Sequence, residues 1–196
     1  MISVEMTVFH GTCSIHRESI ETGGLDPGKT KPRDDHWLGQ GVYFFDEIRK
    51  ARWWANIIST QNASSSALIY QARIEAPDNR VLNLDDARQM DIEEMINCVR
   101  QPIKDGRQKQ PVLSLDKARA VFLDYYKQTH DIVVIIATFE KECAEYTAHR
   151  SRSEMEIQKE LMRILKIKYH ERQICVSDKA VIRNTRLYYD EEEEIL

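Results

Sequence analysis

Three short stretches hold residue types able to do chemistry. The first is FHGT, residues 9–12, where a histidine and a glycine stand at the mouth of an alternating apolar segment. The second is GQGVYFFDEIRKARWWA, residues 39–55, which runs from a glycine-rich turn through an aromatic segment to paired tryptophans on a helical pattern. The third is HERQICVSD, residues 170–178, where Glu171 and Gln173 are two apart, so an extended backbone turns both side chains to one side. Taken singly, each is ordinary. His10 reads as a strand-end histidine, Gly39 and Gly41 as turn formers, Tyr43, Phe44 and Phe45 as core, Trp53 and Trp54 as helix packing, and Gln173 as an exposed polar residue. Their joint order and spacing carry more than any one of them.

Competing chemistries lack their residues. No Gly-x-Ser-x-Gly nucleophile turn occurs. Cys13, Cys98, Cys143 and Cys175 are far apart, without the paired spacing of zinc or redox sites. Cys13 and His16 would fit one helical turn, but a single pair leaves a zinc shell half filled, so no metal is expected. His130, His149 and His170 are scattered and read as surface or helix-end residues.

The elements that must position these residues follow from periodicity. Ile2, Val4, Met6 and Val8 alternate as a strand that delivers His10 at its end. Ser14 is placed to cap a short helix closed by Gly23 and Gly24, and Asp46 to cap one with Ile48, Ala51, Ala55 and Ile58 inward. Residues 59–66 form a polar loop, and a strand follows with Leu68, Tyr70, Ala72, Ile74 and Ala76 on one face and solvent on the other. Helices are predicted over 85–100, with Ile92, Met95, Ile96 and Val99 inward, and from Ser114, with Leu115, Ala118, Phe122 and Tyr125 on one face. After the buried strand DIVVIIATF, a Ser153–Glu156 capping box opens a helix with Ile157, Leu161, Ile164 and Leu165 inward, and two short strands end the chain. The class is mixed α+β in one domain.

The 196 residues are 42% hydrophobic and 31% charged, enough to bury a core without metals or disulfides. The longest apolar run suits a buried strand rather than a membrane span, and the N-terminus lacks a secretory pattern, so a cytoplasmic location is expected. The net charge of −4 includes five acids between Asp190 and Glu194, so the domain is expected over 1–189 with 190–196 a solvated acidic tail. A nearly neutral body argues against tight nonspecific nucleic-acid binding. Basic clusters at 28–33, 49–52, 104–109 and 163–172 leave a localised contact open.

The pairing of FHGT with GQGVYFF about thirty residues later resembles the NAD-binding half of the ADP-ribosyltransferases of the diphtheria-toxin and poly(ADP-ribose) polymerase type. The resemblance covers residues 8–55 well and 170–190 faintly. It implies two small twisted, mainly antiparallel sheets with an NAD cleft between them. It also implies that His10 bonds the adenosine ribose, that Gly11 offers its backbone to the nicotinamide carboxamide with support from Thr12, and that Tyr43 stacks on the nicotinamide. Trp54, eleven residues after Tyr43, takes the place of the family's second stacking aromatic. Ala51 stands where the family often has a carboxamide-binding serine. Gln173 stands where its catalytic glutamate is expected, and Glu171 would either substitute for it or form a Glu-x-Gln pair that positions the acceptor.

The activity implied is transfer of one ADP-ribose from NAD to a protein or nucleic-acid acceptor, as in an intracellular toxin or effector that would need a neutralising partner. Two alternatives stand beside it. One is an NAD glycohydrolase. The other is a catalytically degenerate module that binds NAD or ADP-ribosylated partners, favoured by Gln173.

Overall fold

The computed structural model describes residues 3–31, 36–86, 115–141, 152–165 and 168–193. Residues 87–100 of the helix predicted over 85–100, the loop over 101–111, Cys98, Cys143, His149 and the capping side chain of Ser153 lie outside them. In chain order the elements are β1 (Ser3–Cys13), α1 (Arg17–Gly23), β2 (Val42–Phe45), α2 (Ile48–Gln61), β3 (Ala67–Pro77), β4 (Val81–Asn83), α3 (Leu115–His130), β5 (Val134–Lys141), α4 (Arg152–Leu165), β6 (Tyr169–Val176) and β7 (Ile182–Asp190). None of the described helices is long and apolar enough to cross a membrane.

The fold is α+β, with seven strands bonded in the order β4-β5-β6-β2-β1-β3-β7. All neighbours are antiparallel except β4 and β5. Two separate sheets are expected from the sequence; the structure joins them at the single pair Phe9↔Phe45 between β1 and β2. That one pairing is enough to make the ladder continuous, while the halves β4-β5-β6-β2 and β1-β3-β7 part on either side of it.

Alternation sorts the core. One face carries Val8, Phe44, Tyr70, Ile74, Ile136 and Ile174 in a single cluster, closed by Ile20 and Leu25 from the α1 region. The opposite face is divided between two helices. Leu123 and Tyr126 of α3 cover Leu82, Ile135 and Cys175, whereas Ala51 and Ala55 of α2 cover Phe45, Ala67 and Ile69. Residues 67–70 are therefore buried on both faces, and the solvated side expected of β3 begins only at its exposed Arg73.

Four local expectations are corrected. Ser14 does not cap α1; its hydroxyl accepts from the Ser66 amide at 3.0 Å and ties the end of β1 to the start of β3. The cap position of α2 is Glu47, while Asp46 pairs with Lys50 at 3.0 Å, within a turn that also brings Glu47 to the same ammonium. The inward stripe of α3 is displaced by one residue, to Phe122, Leu123, Tyr126 and Lys127, because polar bonds to the glycine loop pull Asp124 and Lys127 inward; Ala118 and Tyr125 are exposed. In α4 the predicted stripe is the exposed side: Ile157 and Ile164 are 67% and 63% exposed, Leu161 and Leu165 are exposed with them, and Met162 is buried instead. Amphipathic spacing marks an apolar face without saying what it meets.

Two of the C-terminal acids, Asp190 and Glu191, are structural rather than solvated. Asp190 ends β7, is buried, and forms an ion pair with Arg17, while the Glu191 carboxylate accepts from the Ala67 amide at 2.8 Å.

The glycine loop before β2 is latched to α3. Asp124 accepts from the Gln40 amide at 2.7 Å, Lys127 donates to the Gln40 carbonyl at 2.6 Å, and the two side chains pair at 2.7 Å. Asp124→Ala strips the buried Lys127 of its counter-charge and the Gln40 amide of its acceptor. The expected loss is about 2–4 kcal/mol, read as a lower midpoint in urea unfolding.

Candidate functional site

The cleft lies where the sheet splits. β1 and β2 pair only at Phe9↔Phe45, so from His10 onward no described strand bonds the edge of β1 opposite β3. Side chains from both faces of the sheet can therefore meet in one cavity of about 670 Å³, a usual size for an organic ligand. His10, Gly11, Thr12, Tyr43, Trp54, Glu171 and Gln173 all line it.

His10 is not at the end of its strand; β1 continues to Cys13, with His10 opposite Tyr70 of β3. Its Nδ1 lies 2.8 Å from the Tyr43 carbonyl. A carbonyl only accepts, so Nδ1 carries the proton and Nε2 is left as the acceptor of the ring. Burial pushes the His10 pKa below its ordinary value despite the opposing effect of that hydrogen bond, and His16 nearby lowers it further. The imidazole is thus neutral near pH 7 and suited to receive a hydroxyl.

Tyr43 is fixed at its rim. Its hydroxyl accepts from the Leu38 amide at 2.8 Å and donates to the Gly39 carbonyl at 2.7 Å. Burial pushes its pKa far up, so it remains a phenol. Cys175, opposite Tyr43 on β6, is likewise held as a thiol, its pKa pushed up to about 12 chiefly by burial, which removes it as a nucleophile. Trp53 and Trp54 both line the cavity, with ring centroids 6.1 Å apart, and Trp54 also packs on the cluster around Phe45 and Ala51.

Close approach explains two glycines and one alanine. A Cβ on Gly11 would lie 2.1 Å from the Ala51 carbonyl oxygen, so β1 and α2 touch backbone to backbone there. The expectation that Gly11 leaves room for a ligand gains a packing reason it lacked. Ala51 is fully buried at this contact, where any hydroxyl would belong to the core. On Gly41 a Cβ would lie 2.6 Å from both the Cys175 Sγ and the Val176 carbonyl oxygen, which lets β2 begin hard against β6.

Glu171 and Gln173 do share a side. Gln173 is opposite Phe45 of β2 and Ala137 of β5, whereas Glu171 lies beyond the end of β2 and faces Phe139 of β5 alone. Both are buried, with Glu171 1% exposed. The Gln173 amide donates to the Glu171 carboxylate in a short contact, and the Gln173 Oε1 has no protein partner. A buried acceptor left unmade costs about 1–3 kcal/mol. An orphaned acceptor beside a carboxylate in a cavity fits a ligand that carries hydroxyl groups.

Two contributors escaped the sequence reading. His36 stacks on Tyr43 with ring centroids 4.9 Å apart and 22° between planes, and the neighbouring Trp37 also lines the cavity. The signal was an aromatic pair in a polar loop just before Gly39-Gln40-Gly41. From the α1 side, Lys29 and Lys31 add positive charge to the lining, and His16 lies beside them.

No protein-family model matches the chain. It is 27% identical to an uncharacterized protein of Methanocaldococcus jannaschii, in an alignment that spans all of this chain and 92% of the relative.

Two outcomes follow from this geometry. Gly11→Ala must push α2 off β1 or strain the strand, and is expected to cost about 1–3 kcal/mol in denaturant unfolding while leaving His10 in place. His10 gives the second. Its folded pKa is below the unfolded one, so the unfolded chain binds the proton first as pH falls. Its contribution to stability is complete above about pH 6.5 and is lost as pH falls from there toward the lowered folded value. Unfolding free energies of the native chain and His10→Gln, measured between pH 8 and 5, should therefore converge toward acid relative to their difference at pH 8.

Proposed function

We propose that this chain transfers ADP-ribose from NAD to a macromolecular acceptor and releases nicotinamide. The observation that carries the reading is convergence. The residues matched by motif to the ADP-ribosyltransferases come from β1, β2, α2 and β6, and they line one cavity. The split sheet is compatible with the two-sheet NAD cleft of those enzymes. Convergence was not guaranteed by the motifs, since Glu171 and Gln173 are more than a hundred residues from the others.

Each side chain supports a role on its own chemistry. The unprotonated Nε2 of His10 would accept a ribose hydroxyl. Tyr43 and Trp54 would flank the nicotinamide, an aromatic pairing that contributes about 0.5–1.5 kcal/mol beyond burial. The Gln173 Oε1 would receive a second hydroxyl. His16, Lys29 and Lys31 would face the diphosphate. Cleavage of the bond between nicotinamide and ribose passes through an oxocarbenium-like state, so the cavity must also limit access of water.

A second reading, an NAD-binding module without catalysis, is favoured by Ala51, whose burial leaves no serine hydroxyl for the carboxamide, and by Gln173 in place of glutamate. Incubation with NAD labelled in the adenylate phosphate, together with cell lysate split into protein and RNA fractions, separates the readings. Label entering one fraction, reduced at least about tenfold by Tyr43→Ala, is the expected result and names the acceptor class. Free labelled ADP-ribose without labelled macromolecule would make the chain an NAD glycohydrolase. Heat protection by NAD with neither label transfer nor nicotinamide release would leave a binding module.

A further inference from the structure

The orientation of the Gln173 amide separates the roles of the two residues. A carboxylate only accepts hydrogen bonds, so the Gln173 NH2 must face Glu171, and its carbonyl oxygen is turned away from the acid. That oxygen is buried without a partner on a side chain that lines the cavity and is 9% exposed. The two residues thus divide one task. Glu171 presents a buried carboxyl group, and Gln173 holds it through its amide and presents an acceptor to whatever occupies the cleft.

Resting on ADP-ribosyl transfer as the reaction of this site, we infer that Glu171 is the catalytic carboxylate and Gln173 a positioning residue that clamps it and binds a ribose hydroxyl. Position on β6 supports the division. Gln173 is flanked by β2 and β5, whereas β2 has ended before Glu171, which also lines the cavity. In the step itself, the bond between the ribose C1′ and the pyridinium nitrogen breaks, and nicotinamide leaves as a neutral molecule with the bonding pair. A lone pair of the acceptor nucleophile forms the new bond to C1′, and the acceptor's proton passes to the Glu171 carboxylate and then to water. Glu171 stabilises the positive charge that C1′ carries between these events.

This arrangement differs from a simple exchange of glutamate for glutamine at one position. The charge has moved two residues back along the strand, to the next position on the same face, and the vacated position has become its clamp.

The test measures NAD affinity by titration, and nicotinamide release at saturating NAD with the lysate fraction that takes up label as acceptor, on the same protein samples. Glu171→Gln is expected to keep the NAD dissociation constant within about threefold and to lose release by at least about a hundredfold, the scale of a removed general base or charge. Gln173→Leu is expected to weaken NAD binding by about tenfold, with a smaller loss in turnover than Glu171→Gln. Glu171→Asp, which keeps the charge, should release nicotinamide at least about tenfold faster than Glu171→Gln or Glu171→Ala; equal rates would reduce Glu171 to packing and overturn the assignment. Release by Glu171→Gln within threefold of the native protein would overturn it as well, while leaving ADP-ribosyl transfer standing. A native protein that binds no NAD, or binds it without releasing nicotinamide, would overturn the transferase reading and this assignment together.

Discussion

The hydrogen bond from His10 Nδ1 to the Tyr43 carbonyl is the interaction on which the cleft depends. It crosses the gap where β1 and β2 cease to pair. A ladder bond at that point would close the sheet and bury the cavity; no bond at all would leave a backbone carbonyl unpaired and the two halves tied only at Phe9↔Phe45. A side chain that bridges the gap keeps the halves in register and apart. It also sets the tautomer of the imidazole, because the proton committed to Tyr43 leaves the other nitrogen bare. Fold and chemistry are joined in that single contact.

Around it, backbone contacts do what side chains cannot. Gly11 admits α2 against β1, and Gly41 admits β2 against β6, each at a distance no Cβ would tolerate. The α3 latch on Gln40 then holds the loop between Gly39 and Gly41, and Tyr43 closes the same loop from within by bonding Leu38 and Gly39. The stacking face of Tyr43 is therefore placed by contacts made at its hydroxyl, far from where a ring would rest. Two helices with different partners, α2 on one half of the sheet and α3 on the other, frame the split.

Much of this was legible in the sequence, and the reasons for the gaps are specific. The alternation of Leu68, Tyr70, Ala72, Ile74 and Ala76 marked β3 because side-chain direction in a strand is fixed by parity. The helical spacing of Ala51, Ala55 and Ile58 marked the buried side of α2, and the order of FHGT, GQGVYFF and RQICV marked the cavity lining. What failed depended on partners distant in the chain. Ser14 looked like a cap until Ser66 supplied a nearer donor, and Asp190 looked like the start of a tail until Arg17 drew it inward. The α4 stripe of Ile157, Leu161, Ile164 and Leu165 had the right period and faced the wrong way, because period says nothing of neighbours. His36 escaped because the local sign, an aromatic pair in a polar loop, does not say that its ring meets Tyr43.

Several local rules are broken on the lining of one cavity, while buried polar atoms without partners also occur elsewhere, at Ser66 and Tyr70. A histidine is held neutral by burial, a carboxylate is sequestered at 1% exposure, and an amide oxygen is left without a partner, all on the lining of one cavity. The unmade Gln173 acceptor lowers the stability of the folded chain. Lys50 is paired with Asp46 and Glu47, Lys127 with Asp124, and Asp190 with Arg17. The Gln173 oxygen beside Glu171 stays unmade on the lining of the cavity, at a place where a hydroxyl of a bound molecule would satisfy it.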